Sequence, residues 1–292
     1  MKRINFSIVT LLAVAMMFVF ASCTKDGVYK PKKKISKIYE TVTTDPNPEK
    51  VLRETWTWDG KLLSKINYDD GDVAIFTYEK KQLTSIDIDK NRIELNYDSK
   101  GKLLDNAKMY YDGILYVTYT FEHEKNLISS YTVVYNDIVD KAKSARLVNN
   151  LFRFIAPEVA QDEVANYVTA TENNLKSDDK YTVELTYDGK NVIEQKIMNN
   201  NRQTLYTYTY TDYKNPFYGL LMDMDVDAVS KNAPATCVRK MDEMPDYNYT
   251  YTYKADGKVP TQSIENFSWK LTVGNITTTH EETKVTDYEY TK

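Results

Sequence analysis

Tyr181-Thr182-Val183-Glu184-Leu185-Thr186-Tyr187-Asp188-Gly189-Lys190-Asn191-Val192 holds, in twelve residues, a strand, a turn and the start of the next strand. Tyr181, Val183, Leu185 and Tyr187 alternate with Thr182, Glu184 and Thr186, the period of two that gives a half-buried strand one apolar and one polar face. Asp188-Gly189 follows, a dipeptide favoured in tight hairpin turns because its backbone reaches the left-handed region. Val192 then restarts an apolar run. The same grammar of aromatic, acid, Lys-bearing turn and apolar restart recurs in Trp58-Asp59-Gly60-Lys61-Leu62, Tyr78-Glu79-Lys80-Lys81-Gln82-Leu83 and Tyr97-Asp98-Ser99-Lys100-Gly101-Lys102-Leu103. Phe121-Glu122-His123-Glu124-Lys125-Asn126-Leu127 and Tyr253-Lys254-Ala255-Asp256-Gly257-Lys258-Val259 continue it. The first four aromatics stand 20, 19 and 24 residues apart, room for one hairpin per period. Ile93, Leu95 and Tyr97 against Arg92, Glu94 and Asn96 repeat the one-sided alternation. The chain therefore reads as mainly β: an antiparallel β-meander of hairpin repeats over residues 51–292, forming a curved sheet or a barrel.

Two stretches interrupt the pattern. Ile138, Ala142, Ala145, Val148, Phe152 and Ile155 fall at helical spacing and stop before Pro157, and Val164, Tyr167, Thr171 and Leu175 extend it, so residues 137–176 read as a short helical insertion. Residues 212–246 hold Pro216, Pro234 and Pro245 without a sustained period and read as an irregular excursion, a kind of long connection that is often functional.

The N-terminus carries an address. Lys2-Arg3 precede a mostly apolar run from Ile8 to Ala21 that ends at Ser22-Cys23. Charged start, apolar core and small-residue end make a signal peptide over residues 1–22, and the core is shorter than the roughly 20 residues that span a bilayer. Phe20-Ala21-Ser22-Cys23 resembles the lipobox of bacterial lipoproteins, with Phe20 where that family usually has Leu. The resemblance implies cleavage after Ser22 and acylation of Cys23, and two or more acyl chains anchor stably where one does not. Thr24, in place of the Asp that retains many lipoproteins in the inner membrane, implies the outer membrane. Cys23-Thr24-Lys25-Asp26 resembles the surface-export signal of Bacteroidota lipoproteins, with Gly27 departing from it, so the cell surface and the periplasmic face both stand. Residues 23–50, with Lys30-Pro31-Lys32-Lys33-Lys34 and Asp45-Pro46-Asn47-Pro48, read as a polar tether whose Ile35–Val42 part could become an edge strand. Its lysines are suited to anionic headgroups.

Composition narrows the class. Removing residues 1–22 deletes Lys2 and Arg3 and no acid, taking the net charge from −4 to −6, which argues against a nucleic-acid partner. With Cys23 acylated, Cys237 is the one remaining thiol, so no intrachain disulfide forms; it is a nucleophile or, as free cysteines commonly are, a small buried residue. Twenty-five Tyr against 9 Gly and 8 Pro suit strands and not a disordered chain.

Tyr97-Asp98-x-x-Gly101-Lys102-Leu103 and Tyr253-x-x-x-Gly257-Lys258-Val259 resemble the YD repeat of Rhs-type proteins, which use it as a β shell. Together with the lipobox and the turn Asp212-Tyr213-Lys214-Asn215-Pro216-Phe217, the tyrosine-rich meander resembles a group of uncharacterised Bacteroidota lipoproteins with a porin-like β fold. The resemblance implies architecture and supplies no chemistry.

A search for catalysis finds little to build on. His123 lies between Glu122 and Glu124 and His280 in a Thr-rich run; neither sits in a His-Glu-x-x-His or paired-Cys metal pattern, nor is there a Gly-x-Ser-x-Gly elbow. Asp223-Met224-Asp225-Val226-Asp227 opens like a calcium loop but has Ala228 in place of the turn Gly and Pro234 in place of the bidentate Glu, and Asp87-x-Asp89-x-Asn91 has Arg92 at the Gly position. No metal or cofactor is expected on these patterns. The 42 acids are too widely spread for sequence to select the pair a glycosidase needs.

Aromatic rows offer the best binding surface. Tyr206, Tyr208 and Tyr210 alternate with Thr207, Thr209 and Thr211; Tyr247, Tyr249, Tyr251 and Tyr253 alternate with Asn248, Thr250 and Thr252; Trp56 and Trp58 share a face. Facing solvent, such rows are stacking platforms for a glycan or a protein; facing inward, they are cross-strand packing. Trp269 carries the same two readings. These observations favour a lipid-anchored envelope protein, held to the membrane through Cys23, with a non-enzymatic binding or structural role and a glycan or protein ligand. The alternative is a glycan hydrolase using a carboxylate pair. An integral barrel is a third reading, opposed by charged side chains on the outward strand faces.

Overall fold

The computed structural model describes residues 26–43, 48–136, 180–199, 202–220, 226–241, 244–273 and 276–292. They form β1 Ile35–Val42, β2 Val51–Asp59, β3 Leu62–Tyr68, β4 Val73–Glu79, β5 Gln82–Ile88, β6 Asn91–Tyr97, β7 Leu104–Tyr111, β8 Ile114–Glu124, β9 Leu127–Tyr135, β10 Lys180–Asp188, β11 Asn191–Asn199, β12 Arg202–Lys214, β13 Asn232–Met241, β14 Tyr247–Asp256, β15 Val259–Val273 and β16 Ile276–Tyr290, with one helical turn, α1 Val226–Val229. Each strand pairs antiparallel with its sequence neighbours, and β1 closes the ring by pairing with β16, Ile38 opposite Tyr288. The sheet is thus a closed barrel, the second of the two forms open to the sequence.

Two boundaries need correction. Within the expected tether of residues 23–50, Ile35–Val42 is a full barrel strand held by β16 on one side and β2 on the other. Closure requires it, since without it β2 and β16 would be exposed edges. Within the expected excursion of residues 212–246, β12 runs to Lys214 and β13 fills Asn232–Met241. Pro234 hid β13 from a periodicity reading. It is tolerated because the register slips between Thr209 and Tyr210, and a bulge is where a strand accommodates proline. The expected signal peptide over residues 1–22, Cys23 and the expected helical insertion over residues 137–176 lie outside the described residues. Among the described residues no helix is long and apolar enough to cross a membrane, which says nothing about strands.

Alternation sorts the two faces of the barrel. Ile93 and Leu95 of β6, Val183 of β10, Tyr206 of β12 and Tyr249 of β14 are buried, while Arg92 and Asn96, Glu184 and Thr186, Thr207, and Thr250 between them are exposed. In a single-layered closed sheet the buried set faces the lumen. A lumen-facing Ile or Val that leaves water contributes about 1.5–3 kcal/mol, and one residue of register slip would reverse the whole set.

The recurrent aromatic has a structural cause. Beside the turn in most hairpins one strand carries an extra residue: Ser64 opposite Thr57/Trp58, Thr84 opposite Thr77/Tyr78, Ile193 opposite Thr186/Tyr187 and Thr261 opposite Lys254/Ala255. A bulge of this kind disrupts the ladder and strands a carbonyl. The carbonyl just before the extra residue is then taken by an aromatic donor on the next strand: Tyr97 Oη donates to Leu83 O, Tyr210 Oη to Val192 O and Tyr290 Oη to Pro260 O. The same arrangement lets Tyr253 Oη reach Pro234 O at 2.8 Å and Trp58 Nε1 reach Ile35 O at 2.7 Å. Tyrosine suits the position because it buries a ring and still presents a donor.

Candidate functional site

The barrel has two unlike regions. At the end bearing these bulged turns, residues 26–29 lie across the opening. Asp26 N–H donates to Lys102 O at 2.9 Å, and Leu83 N–H donates to Gly27 O at 2.9 Å. Asp26 Oδ2 accepts the Leu104 amide at 2.8 Å and lies 3.0 Å from His123 Nε2. A carboxylate oxygen only accepts, so Nε2 carries the proton in this contact. Gly27 takes φ +70°, and a Cβ there would stand 2.0 Å from Tyr97 Oη, so only glycine fits between the segment and the barrel wall.

Tyr29 completes the cap. Its ring stacks on Trp58 at 5.8 Å and leans on Trp56 at 6.5 Å, and its hydroxyl donates to Pro216 O at 2.6 Å. Burial pushes the Tyr29 phenol far above its usual range, so it remains a neutral donor. Phe217 and Leu220 of the β12–β13 connection fold into the same end, Phe217 against Trp56 and Tyr288. Ser230 and Asn215 fasten that connection through Val192 N–H to Ser230 Oγ and Asn215 Nδ2 to Ser230 O.

The second region is the inner wall of β12–β16 away from the cap. Tyr206 stacks on Tyr208 at 6.3 Å, Tyr249 on Phe267 at 4.8 Å and Trp269 on His280 at 5.8 Å. The Arg239 guanidinium lies 4.7 Å from the Tyr247 ring. Three side chains, Tyr206, Cys237 and Tyr249, form a buried knot, with Tyr208, Tyr247, Tyr251 and Phe267 half-buried around it.

The candidate residues thus divide. Trp56, Tyr206 and Tyr249 are buried and present no ring to solvent, because both Tyr rows turn into the lumen and the Thr rows face out. Trp58 and Tyr210 are spent on carbonyls and packing near the cap. Tyr208, Tyr247 and Tyr251 stay half-exposed on one wall, joined by Phe267, Trp269 and His280. Cys237 is buried at 1% exposure, out of reach for a nucleophile's role. Among the described residues no group of His, Cys, Asp and Glu is arranged to hold a metal. Asp87 and Asn91 do lie in a hairpin, with Asp87 bound to Arg92, and Asp223–Asp225 lie outside the described residues.

Sequence reasoning placed Phe121 in the repeat, whereas His123 holds the bulge position opposite Ile128, as Trp58 does opposite Leu63. Aligning repeats on the residue before the acid of the turn would have found it. Asp26 had no local signal at all.

These features define a closed antiparallel meander barrel with an aliphatic inner wall over β3–β10, a mixed aromatic and charged inner wall over β12–β16, and one capped end. No family model matches the sequence, and no curated protein does. Among solved structures, a porin-like protein from Bacteroides uniformis is similar at a TM-score of 0.50 and 12% identity, over 88% of this chain and 98% of that one. At that identity the likeness is one of fold.

Proposed function

We propose that this protein is a non-enzymatic, lipid-anchored protein of the outer membrane whose barrel stands in water beside the bilayer and binds a ligand at the aromatic wall of β14–β16. The observation that carries this reading is the direction of the alternation. A barrel that spans a membrane turns an apolar band outward and a polar lining inward. Here Arg92, Glu94, Asn96, Glu184 and Lys254 lie on the outward face, and the buried aliphatic residues, among them Ile93, Leu95 and Val183, on the inward one. Charges on the lipid face cost about 2–4 kcal/mol each for Arg or Lys at mid-bilayer. The acyl chains on Cys23 would do the membrane work instead.

The mature chain, residues 23–292 with Cys23→Ser, is expected to fold and stay dispersed without detergent; a requirement for detergent, or strands protected from protease by vesicles, refutes the reading. Fatty-acid labelling of the full chain that disappears in Cys23→Ser checks the anchor. Half-exposed rings such as Trp269 and Tyr247 suit the faces of sugars, so a glycan is the first ligand to test. Binding on a glycan array should be lost in Trp269→Ala; binding that persists places the ligand elsewhere, and a blank array turns the search to protein ligands.

A further inference from the structure

The capped end, from which the chain runs back from Asp26 toward Cys23, is basic. The hairpin turns there set lysine beside acid, one for one in Asp59/Lys61 and Asp188/Lys190 and two lysines to one acid in Glu79/Lys80/Lys81 and Asp98/Lys100/Lys102, and the Lys30–Lys34 run adds to the surplus. By contrast, the β3–β4 turn at the far end, Asp69-Asp70-Gly71-Asp72, has acids alone. The lysines are gathered by backbone bonds: Lys214 N–H donates to Lys258 O at 2.7 Å, Lys231 N–H to Lys190 O at 3.0 Å, and Asn215 N–H to Lys231 O at 3.1 Å. Lys32, Lys190, Lys231 and Lys258 are exposed. Among the described side chains, Lys32, Lys33, Lys190, Lys214, Lys231 and Lys258 outnumber the acids beside them, Asp188, Asp212 and Asp256, of which Asp256 is taken by Lys33. Partial desolvation, then the charges of Lys231, Lys258 and Lys32, hold the Lys214 ammonium below its usual range, as expected where cations crowd without enough counter-charge.

We propose that the rim formed by Lys32, Lys190, Lys214, Lys231 and Lys258 docks on the anionic headgroups of the membrane into which Cys23 is acylated. The proposal rests on the lipid-anchor reading, and chain length supports the choice of partner. Cys23 is three residue steps from Asp26, with Thr24 and Lys25 between, a reach of at most about 11 Å. Asp26 is itself pinned to the rim by Lys102, Leu104 and His123. The bilayer surface therefore comes within roughly one Debye length of the capped end, about 10 Å at 0.1 M salt. The rim faces the headgroups, and the β14–β16 wall points away from them toward its ligand.

The test is vesicle sedimentation of the mature chain carrying Cys23→Ser, so that no acyl chain contributes. Vesicles of phosphatidylcholine with about one-third phosphatidylglycerol are expected to bind it, pure phosphatidylcholine is not, and added salt should release it. Lys214→Gln, Lys231→Gln and Lys258→Gln together should weaken binding on the order of a hundredfold, about fivefold per lysine. Lys65→Gln and Lys108→Gln on the outer wall should leave it unchanged. An unchanged near-UV circular dichroism spectrum shows that the triple variant is folded; if it is not, the same substitutions one at a time are expected to weaken binding by about fivefold each. No binding to anionic vesicles, equal binding to neutral ones, or indifference to the lysine substitutions overturns the proposal. Fatty-acid labelling of the wild-type chain is scored separately, so an absent anchor and an inert rim are distinguishable.

Discussion

Two walls of the barrel follow one alternation and do different things with it. From β3 to β10 the lumen-facing residues are chiefly aliphatic, and Leu63, Ile66, Ile86, Ile93, Leu104 and Val183 are almost wholly buried. On β12 and β14 they are Tyr, joined by Phe267 and Trp269 of β15 and interspersed with Arg239, Glu265, Glu282 and Lys284, and a buried knot of three residues is ringed by half-exposed aromatics. Branched aliphatic chains of similar size fill a lumen at the density of a protein interior. Large flat rings stack at their own spacing and leave faces available. The first wall holds the fold together; the second has surface to offer a ligand.

Alkali should separate the walls most strongly. Burial raises the ionisation of Tyr78, Tyr97, Tyr119 and Tyr187 on the first wall above the ordinary value near 10, whereas on β12–β16 it does so for Tyr290, at the capped end of β16. Folded protein then holds protons that the unfolded chain gives up, so stability is intact below pH 10 and falls above it. Each such group removes up to about 1.4 kcal/mol per pH unit. Absorbance of tyrosinate should rise in two steps, the second coinciding with loss of β-structure; one smooth step with the fold retained breaks the comparison.

Truncation gives the next largest contrast. Ile93→Ala is expected to cost about 2–5 kcal/mol through its cavity, and Tyr251→Ala about 1 kcal/mol, since that ring is half-exposed already. Urea denaturation of both decides it, and equal losses would mean the second wall is as tightly packed as the first. Gly27→Ala acts on the cap, where a Cβ meets Tyr97 Oη and the backbone sits at φ +70°. It should cost about 1–3 kcal/mol and speed hydrogen exchange at the Leu83 and Leu104 amides ahead of the rest of the barrel. The smallest effect is a gain. Lys80 and Lys81 turn the β4–β5 hairpin at φ 49° and 70°, where a side chain is strained. Lys81→Gly should raise stability by about 0.5–1 kcal/mol, read as a higher urea midpoint with an unchanged slope.

Part of this arrangement was legible in residue order. Tyr187-Asp188-Gly189-Lys190 and its relatives located the hairpins because a turn is a local event, fixed by residues that tolerate a left-handed backbone. Ile35–Val42 and Asn232–Met241 were harder. The first is polar and short of alternation, and the second contains Pro234, so their strand state depends on partners and bulges supplied from elsewhere in the chain. The cap was invisible for the same reason: His123 and Asp26 are 97 positions apart, and nothing near Asp26 announces what it meets.

By itself the sequence determined the strands, the turns and the division of each strand into two faces, because a period of two and a φ preference act over a few neighbouring residues. The tertiary structure alone decided that β1 meets β16, that the Tyr rows turn inward and that the N-terminal segment seals one end. Tyr and Thr both fit either face of a strand, so alternation names two faces without naming the inner one. That choice is made only when the ring closes and one face loses its water.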